Sequence, residues 1–395
     1  MRKGLRKLLK SFSERIRFVA FYGLFLGIST QMLYSHLALF LKFGCDSSDA
    51  QIAAIDGFVE FLSYLTRIFS GAISDYLYDR KLLLVIGCSL SIVIKPIFSV
   101  AHSVFTVLCA EIIERLGSGI QASPRDALIA DLTPKSKLGA SFGFCKSLKT
   151  IGGVFGSIIA LGIIWFSDNN YRLLFILSTI PAIFALIFVL KIKSSVKFPR
   201  EIKKFDNPFQ KKYLKSMDAS FWKLMVLAFV CELGHFGESL LTLRSAQFFS
   251  QTLAGMTSVF AAIGQILFSY FMGIASDRMN KMNLLKINLL LILIFYSIMW
   301  NGATGSIFLI CVSVLCGQYA AIQLLFLSMI NTHVSVNLRG TAIGIFYCVI
   351  GVAYMLATNI CGFLCQNFDY SFAFSYALLI SVIAIAITSA TSSSE

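Results

Sequence analysis

Gly71-Ala72-Ile73-Ser74-Asp75 closes one long apolar run of this chain, and Gly273-Ile274-Ala275-Ser276-Asp277 closes another 202 residues later. A second pair repeats the spacing. Leu138-Gly139-Ala140-Ser141-Phe142-Gly143 is echoed by Arg339-Gly340-Thr341-Ala342-Ile343-Gly344, with the first glycines 201 residues apart. That offset is close to half of the 395 residues. A duplicated half inside a very apolar chain predicts two parallel membrane bundles, an arrangement found in secondary transporters rather than in enzymes or receptors.

Composition agrees. The chain is 57% hydrophobic and 14% charged, with mean hydropathy +0.78, whereas a soluble domain is about one quarter charged. So much apolar surface requires the bilayer as solvent. The net charge of +14 invites a nucleic-acid reading, but its distribution excludes one. Of 34 Lys and Arg, 25 fall in residues 1–17, at Arg80 and Lys81, at Lys135 and Lys137, in 191–223, in 276–286 and at Arg339. These segments alternate with loops nearly free of basic residues, such as 301–305 and 366–370. That is the positive-inside pattern, with both termini and the central loop in the cytoplasm. The basic start followed by a long apolar run reads as an uncleaved first span. The ten cysteines have no paired spacing and read as small buried apolar residues.

Runs of about 20 apolar residues can each cross a bilayer. Twelve are predicted. The first six are 16–42, 50–74, 82–101, 103–131, 138–166 and 171–193. The second six are 220–245, 252–276, 283–301, 305–332, 339–365 and 370–390. The expected fold is all-α and integral to the membrane, with twelve transmembrane helices in two pseudo-symmetric six-helix bundles. Residues 1–193 form the first, 220–395 the second, and the Lys-rich segment 194–219 links them. Glycines gather in the fifth span (Gly152, Gly156) and the eleventh, where helices can approach closely and slide. Static packing is the alternative.

On these residues the chain resembles the major facilitator superfamily over essentially its whole length. The superfamily's loop signature runs glycine, two variable residues, small, aspartate, basic, variable, glycine, then a basic cluster. Gly71, Ser74, Asp75, Arg80 and Lys81 match it, while Tyr76, Tyr78 and Asp79 depart from it. The second copy keeps Gly273 and Asp277 and adds Arg278. Arg115 with Gly117 and Gly119 corresponds to the fourth-helix signature. Ser123-Pro124-Arg125-Asp126-Ala127-Leu128-Ile129-Ala130-Asp131 resembles a bacterial subgroup. So do Glu60, Lys95-Pro96 and Leu240-Leu241-Thr242-Leu243-Arg244. Gly152 and Gly156 match a fifth-helix signature of antiporters, from which Ser157 departs where a proline is expected, and Lys149 stands where the bacterial subgroup usually has an aspartate. The resemblance implies that Asp75, Arg80 and Asp131, with Lys81, Arg125 and Asp126 nearby, form an inner-side charge cluster that acts as a gate.

Charges at bilayer depth cost about 2.5–3.5 kcal/mol each even on the lenient insertion scale, so each is a functional candidate. Asp56, Glu60 and Arg67 share one face of the second span. Glu60 either loads a proton or forms a static pair that fixes helix register. Glu111 and Arg115 are an i,i+4 pair beside Glu114. Arg115 can hold a carboxylate or bind an anionic solute as a fork. Glu232, His235 and Glu238 recur every three residues on the seventh span, and histidine titrates near physiological pH. They are the second half's candidates for proton coupling. Metal binding by one His and two acids is the sharper alternative, and no metal or cofactor is expected. His36, with Gln31 and Tyr34, lines a cavity or sits in the core. Lys95, Lys146 and Lys149 line a cavity or snorkel.

The expected function is alternating-access transport of a small solute, coupled to protons, across the bacterial cytoplasmic membrane. The intramembrane charges lean toward a polar or anionic metabolite, and one chain suffices as the working unit. An exporter of amphipathic compounds is the competing reading. A membrane enzyme lacks support, because no phosphate loop, HExxH or nucleophile elbow is present. A sensor built on a transporter scaffold would need an appended domain.

Overall fold

In a computed structural model, residues 12–77, 79–134, 137–192, 217–276, 278–334 and 339–392 are described. Most of the expected linker 194–219, the start of the basic N-terminal segment and Asp277 lie outside them, as do the surroundings of Gly71 and the side chain of Asp75.

Fifteen helices are seen among the described residues. Nine of the twelve expected spans are single helices. They are α1 (Glu14–Gly44), α2 (Asp49–Leu77), α3 (Arg80–Val100), α4 (Val104–Asp131), α5 (Leu138–Phe166), α12 (Lys281–Trp300), α13 (Gly305–His333), α14 (Arg339–Asn367) and α15 (Tyr370–Ser392). The sixth, seventh and eighth are each broken in two. Their pieces are α6 (Tyr171–Leu177) and α7 (Thr179–Lys191), α8 (Ala219–Leu233) and α9 (Glu238–Ser245), and α10 (Gln251–Ala254) and α11 (Met256–Ser276).

Among the described residues, ten spans are long and apolar enough to cross a membrane on length and composition alone. The two that fall short are α2 and α4, which carry Asp56, Glu60 and Arg67, and Glu111, Glu114 and Arg115. These two helices thus carry three of the candidate charges each, and single charges such as Lys95 lie on the others. Phe105, Phe166, Tyr270 and Phe271 are among the large exposed side chains, as expected where the surrounding solvent is hydrocarbon.

Lipid offers no hydrophobic drive for helices to associate, so close approach must come from small residues. By mutual contact the chain divides into two compact units, one of residues 1–36 and 65–206, the other of 37–64 and 207–395. In the first, a Cβ on Gly117 would lie 3.1 Å from the Gly87 carbonyl, which fixes α3 on α4. A Cβ on Gly152 or Gly156 would strike the α1 backbone at Leu24 or Ile28. Gly119 is buried and its carbonyl accepts the Ser70 hydroxyl at 3.0 Å. In the second unit, Gly264 meets the Ser313 carbonyl and Gly317 meets Phe268, joining α11 to α13. Gly57, Gly351 and Gly362 seat residues 50–64 of α2 against α14. That packing is why this stretch groups by contact with the second unit rather than with its own sequence half. Gly139, Gly143, Gly153 and Gly340 face open space, so only part of each glycine cluster makes a crossing.

Local chemistry explains several ends and breaks. Asp79, which departs from the loop signature, caps α3 by accepting from Leu82 N at 3.0 Å. Ser103 caps α4 in the same way through Thr106 N. Pro181 cannot donate to the Leu177 carbonyl, and the sixth span breaks there. Ser178 at that break hydrogen-bonds Phe175, and Ser29 of α1 donates to the Ser178 carbonyl at 2.6 Å.

Candidate functional site

In the first unit the buried charges are paired across helices. Lys95 Nζ of α3 lies 2.9 Å from Glu114 Oε1 of α4, with side chains 0% and 1% exposed. The snorkelling alternative for Lys95 is therefore excluded, because its ammonium stays inside. Glu111 is buried one turn before Arg115. The Arg115 guanidinium sits 4.1 Å from the centre of the Tyr34 ring of α1, a cation–π contact that strengthens when water is excluded. His36 is fully buried, with its Nδ1 2.9 Å from the Ser35 hydroxyl and its ring 6.4 Å from that of Tyr171. The core reading of His36 fits this packing.

Where α3 starts and α4 ends in the same unit, Arg80 Nε meets Asp131 Oδ2 at 2.7 Å. Two members of the implied charge cluster, Arg80 and Asp131, are thus in contact, while the side chain of the third, Asp75, lies outside the described residues. Lys81 instead donates to the Leu190 carbonyl at 2.8 Å, tying α3 to the end of α7. Arg125 holds its neighbour Asp126 through two nitrogens at 2.8 and 3.0 Å. Arg67 anchors through its backbone, its carbonyl accepting the Ser123 hydroxyl at 2.8 Å.

In the second unit the seventh span opens at Gly234–Gly237, not the continuous helix that 220–245 predicts. Two glycines three residues apart weaken a helix, and the freed backbone finds a partner. Phe236 N donates to the Tyr296 hydroxyl at 3.1 Å, which donates to the Gly234 carbonyl at 3.1 Å. Unwound backbone at membrane depth is tolerated where such partners satisfy it, and discontinuous helices of this kind line transporter sites.

The titratable groups gather at this break. Glu232 Oε1 accepts from His235 Nδ1 at 2.7 Å. The His235 ring stacks on Tyr319 at 3.9 Å and meets Tyr354 edge-on at 5.0 Å. The Tyr354 hydroxyl donates to Asp56 Oδ2 at 3.1 Å, and a Cβ on Gly237 would lie 3.2 Å from that same oxygen. Glu60, one turn along α2, is an electrostatic neighbour of Tyr354. The break places Glu238 on α9, where it neighbours Cys316 of α13 rather than continuing the face of Glu232 and His235. Spacing along one helix does not reveal Tyr296, Tyr319 or Tyr354, which arrive from α12, α13 and α14.

Gly273 faces open space and Arg278 is exposed beyond α11. The second copy of the loop signature thus has its glycine and arginine described, without its aspartate. Among the described residues no group of three His, Cys, Asp or Glu is placed to hold a metal.

Comparison with known proteins gives one answer for the fold. The model of the Major Facilitator Superfamily matches residues 19–247 and 233–391. An uncharacterised MFS-type transporter of Methanocaldococcus jannaschii is 23% identical over 371 residues, spanning 90% of this chain and 89% of that one. Among solved structures, a D-xylose-proton symporter superposes with TM-score 0.73 at 16% identity, covering 94% of this chain and 96% of its own. A POT family transporter in complex with 5-aminolevulinic acid does so with TM-score 0.77 at 13% identity, covering 94% of each chain. With the duplicated loop strings, twelve spans and a broken seventh helix, these matches show that the chain belongs to the major facilitator superfamily, as an integral-membrane secondary transporter.

Proposed function

We propose that this transporter moves a small polar or anionic metabolite by alternating access and couples the movement to protons. The observation that carries the coupling is the cluster at the broken seventh span. Glu232 and His235 share a hydrogen bond, and Asp56 reaches the same break through Tyr354. A carboxylate beside an imidazole can take up a proton in one conformation and release it in another. Glu60 and Glu238 flank this cluster as further carriers. A structural neighbour is a D-xylose-proton symporter, which supports the proton reading by analogy of fold alone.

The first unit supplies fixed charge. Arg115 stays protonated throughout any cycle and is proposed to face the solute, held by Tyr34 and backed by the Lys95–Glu114 pair. Glu111 adds a second acid on the same helix. Arg80 and Asp131, with Asp75, are proposed as the inner-side gate, to which Lys81, Arg125, Asp126, Gly71, Gly273, Asp277 and Arg278 belong. The basic segments support a cytoplasmic location for both termini in a bacterial inner membrane. The halves 1–193 and 220–395 work as one chain, and the string at 123–131 supports membership of the bacterial subgroup.

Flux of a stabilising solute in proteoliposomes, with and without an imposed pH gradient, tests this. Uptake driven by the gradient and lost in Glu232→Gln is expected. Flux indifferent to the gradient makes the protein a uniporter. Stabilisation by lipophilic compounds alone moves the reading to an exporter.

A further inference from the structure

Where the seventh span opens, one side chain meets the backbone on both sides of His235. Tyr296 of α12 is 1% exposed. Its hydroxyl accepts from Phe236 N and donates to the Gly234 carbonyl, each at 3.1 Å. That hydroxyl has a single proton to give, and the Tyr319 hydroxyl, 3.4 Å away, is its longer second contact. One oxygen therefore brackets His235 from before and after. A buried amide or carbonyl without a partner is costly, so an opened backbone left alone returns to helical bonding. The Tyr296 bridge satisfies both groups with the chain open.

The neighbours leave the bracketed segment little room to shift. A Cβ on Gly234 would lie 3.3 Å from Ile380 Cγ2 of α15 and 3.4 Å from the Tyr319 hydroxyl of α13. Phe236 is buried, with its ring 4.9 Å from that of Phe374 on α15. Between these two anchors the His235 ring lies flat on Tyr319, with 3.9 Å between centres and 6° between planes. Its Nδ1 is 2.7 Å from Glu232 Oε1. Tyr296 reaches this pair through the backbone of Gly234 and Phe236. Its ring also packs near Phe374, 6.4 Å between centres, so plain space-filling is the competing role. Phenylalanine separates the two, because it keeps the ring and loses the bridge.

We propose that Tyr296 is a positioning residue for the Glu232–His235 pair. By bridging Gly234 and Phe236, its hydroxyl holds the seventh span open and keeps the imidazole on the Tyr319 face. This rests on the reading of that pair as the proton carrier, and it names the group that fixes where the carrier sits. It also gives α12 a part in proton exchange through an uncharged side chain.

The test is the NMR signal of the His235 ring in the full purified chain in detergent micelles, with histidine alone isotope-labelled. Four histidines give few signals, and His235→Gln identifies the one needed. The face of an aromatic ring moves protons stacked on it upfield, so Tyr319 marks the native placement. An upfield shift is expected in the native chain and is retained in Tyr319→Phe. In Tyr296→Phe it is expected to collapse toward the position of free imidazole, while the signal of His36, buried in the first unit, stays in place. A Tyr296→Phe signal equal to the native one overturns the proposal, and so does a native signal without the shift. If Tyr296→Phe does not fold, amide exchange at Phe236 in the native chain decides. Slow exchange is expected, and exchange as fast as in an open peptide overturns the bridge. Proteoliposome flux keeps this inference apart from the function it rests on. Native flux that ignores a pH gradient sinks the proton reading and leaves the placement of His235 standing. A shift that survives Tyr296→Phe sinks the placement and leaves the coupling to be read from Glu232→Gln.

Discussion

The two units hold charge in opposite ways. The first carries the guanidiniums of Arg67, Arg115 and Arg125 and the buried Lys95–Glu114 pair. The second carries titratable groups in contact with one another and with tyrosines: Glu232 bonded to His235, His235 stacked on Tyr319, and Asp56 accepting from the Tyr354 hydroxyl. A permanent cation can attract an anion but cannot ferry a proton. An imidazole–carboxylate pair can ferry a proton but gives an anion little steady attraction. On the proposed function, the contrast puts solute binding in the first unit and proton exchange in the second.

The largest effect comes from splitting the buried ion pair. Lys95→Ala leaves the Glu114 carboxylate buried without its cation, and a loss of about 3–5 kcal/mol is expected. Replacing both residues with apolar ones of similar size is expected to restore stability. Thermal unfolding in detergent reads both, and a single variant as stable as the double contradicts the pairing. Next is Gly264→Ala, whose added Cβ meets the Ser313 carbonyl. A cost of about 1–3 kcal/mol is expected. Gly153→Ala, with open space around it, is expected to lose nothing and to gain up to about 1 kcal/mol in helix preference. Equal behaviour of the two removes the crossing argument.

His235→Phe sharpens the contrast between the units. It keeps a ring against Tyr319 but loses the hydrogen bond to Glu232. Solute-dependent stabilisation is expected to survive while pH-driven flux disappears. Loss of both together merges the two roles. The smallest effect is Asp79→Ala, which removes the α3 cap for about 1 kcal/mol and leaves binding unchanged in a ligand titration.

Much of the fold is legible because duplication and hydropathy are written along the chain. The strings at 71–75 and 273–277 and the apolar runs need no tertiary knowledge. The broken seventh span is not legible in the same way. Gly234 and Gly237 are visible, but apolar surroundings favour a continuous helix until Tyr296, some sixty residues on, supplies partners for the opened backbone. The site shows the same limit. Lys95, Glu111, Glu114 and Arg115 stand out as charges in apolar helices, yet spacing offers only the in-helix partner of Glu111. The bond that forms between Lys95 and Glu114 crosses from α3 to α4.

The division of labour between the units is tested most directly by current recordings from proteoliposomes on a solid-supported membrane. A stabilising anion is delivered by rapid exchange, with and without an inward proton gradient. The account predicts a gradient-dependent current in the native chain. In Glu232→Gln it predicts loss of the gradient dependence with anion binding intact. In Arg115→Gln it predicts loss of anion binding. A current that ignores the gradient in the native chain, or a Glu232→Gln variant that keeps its gradient dependence, would contradict it.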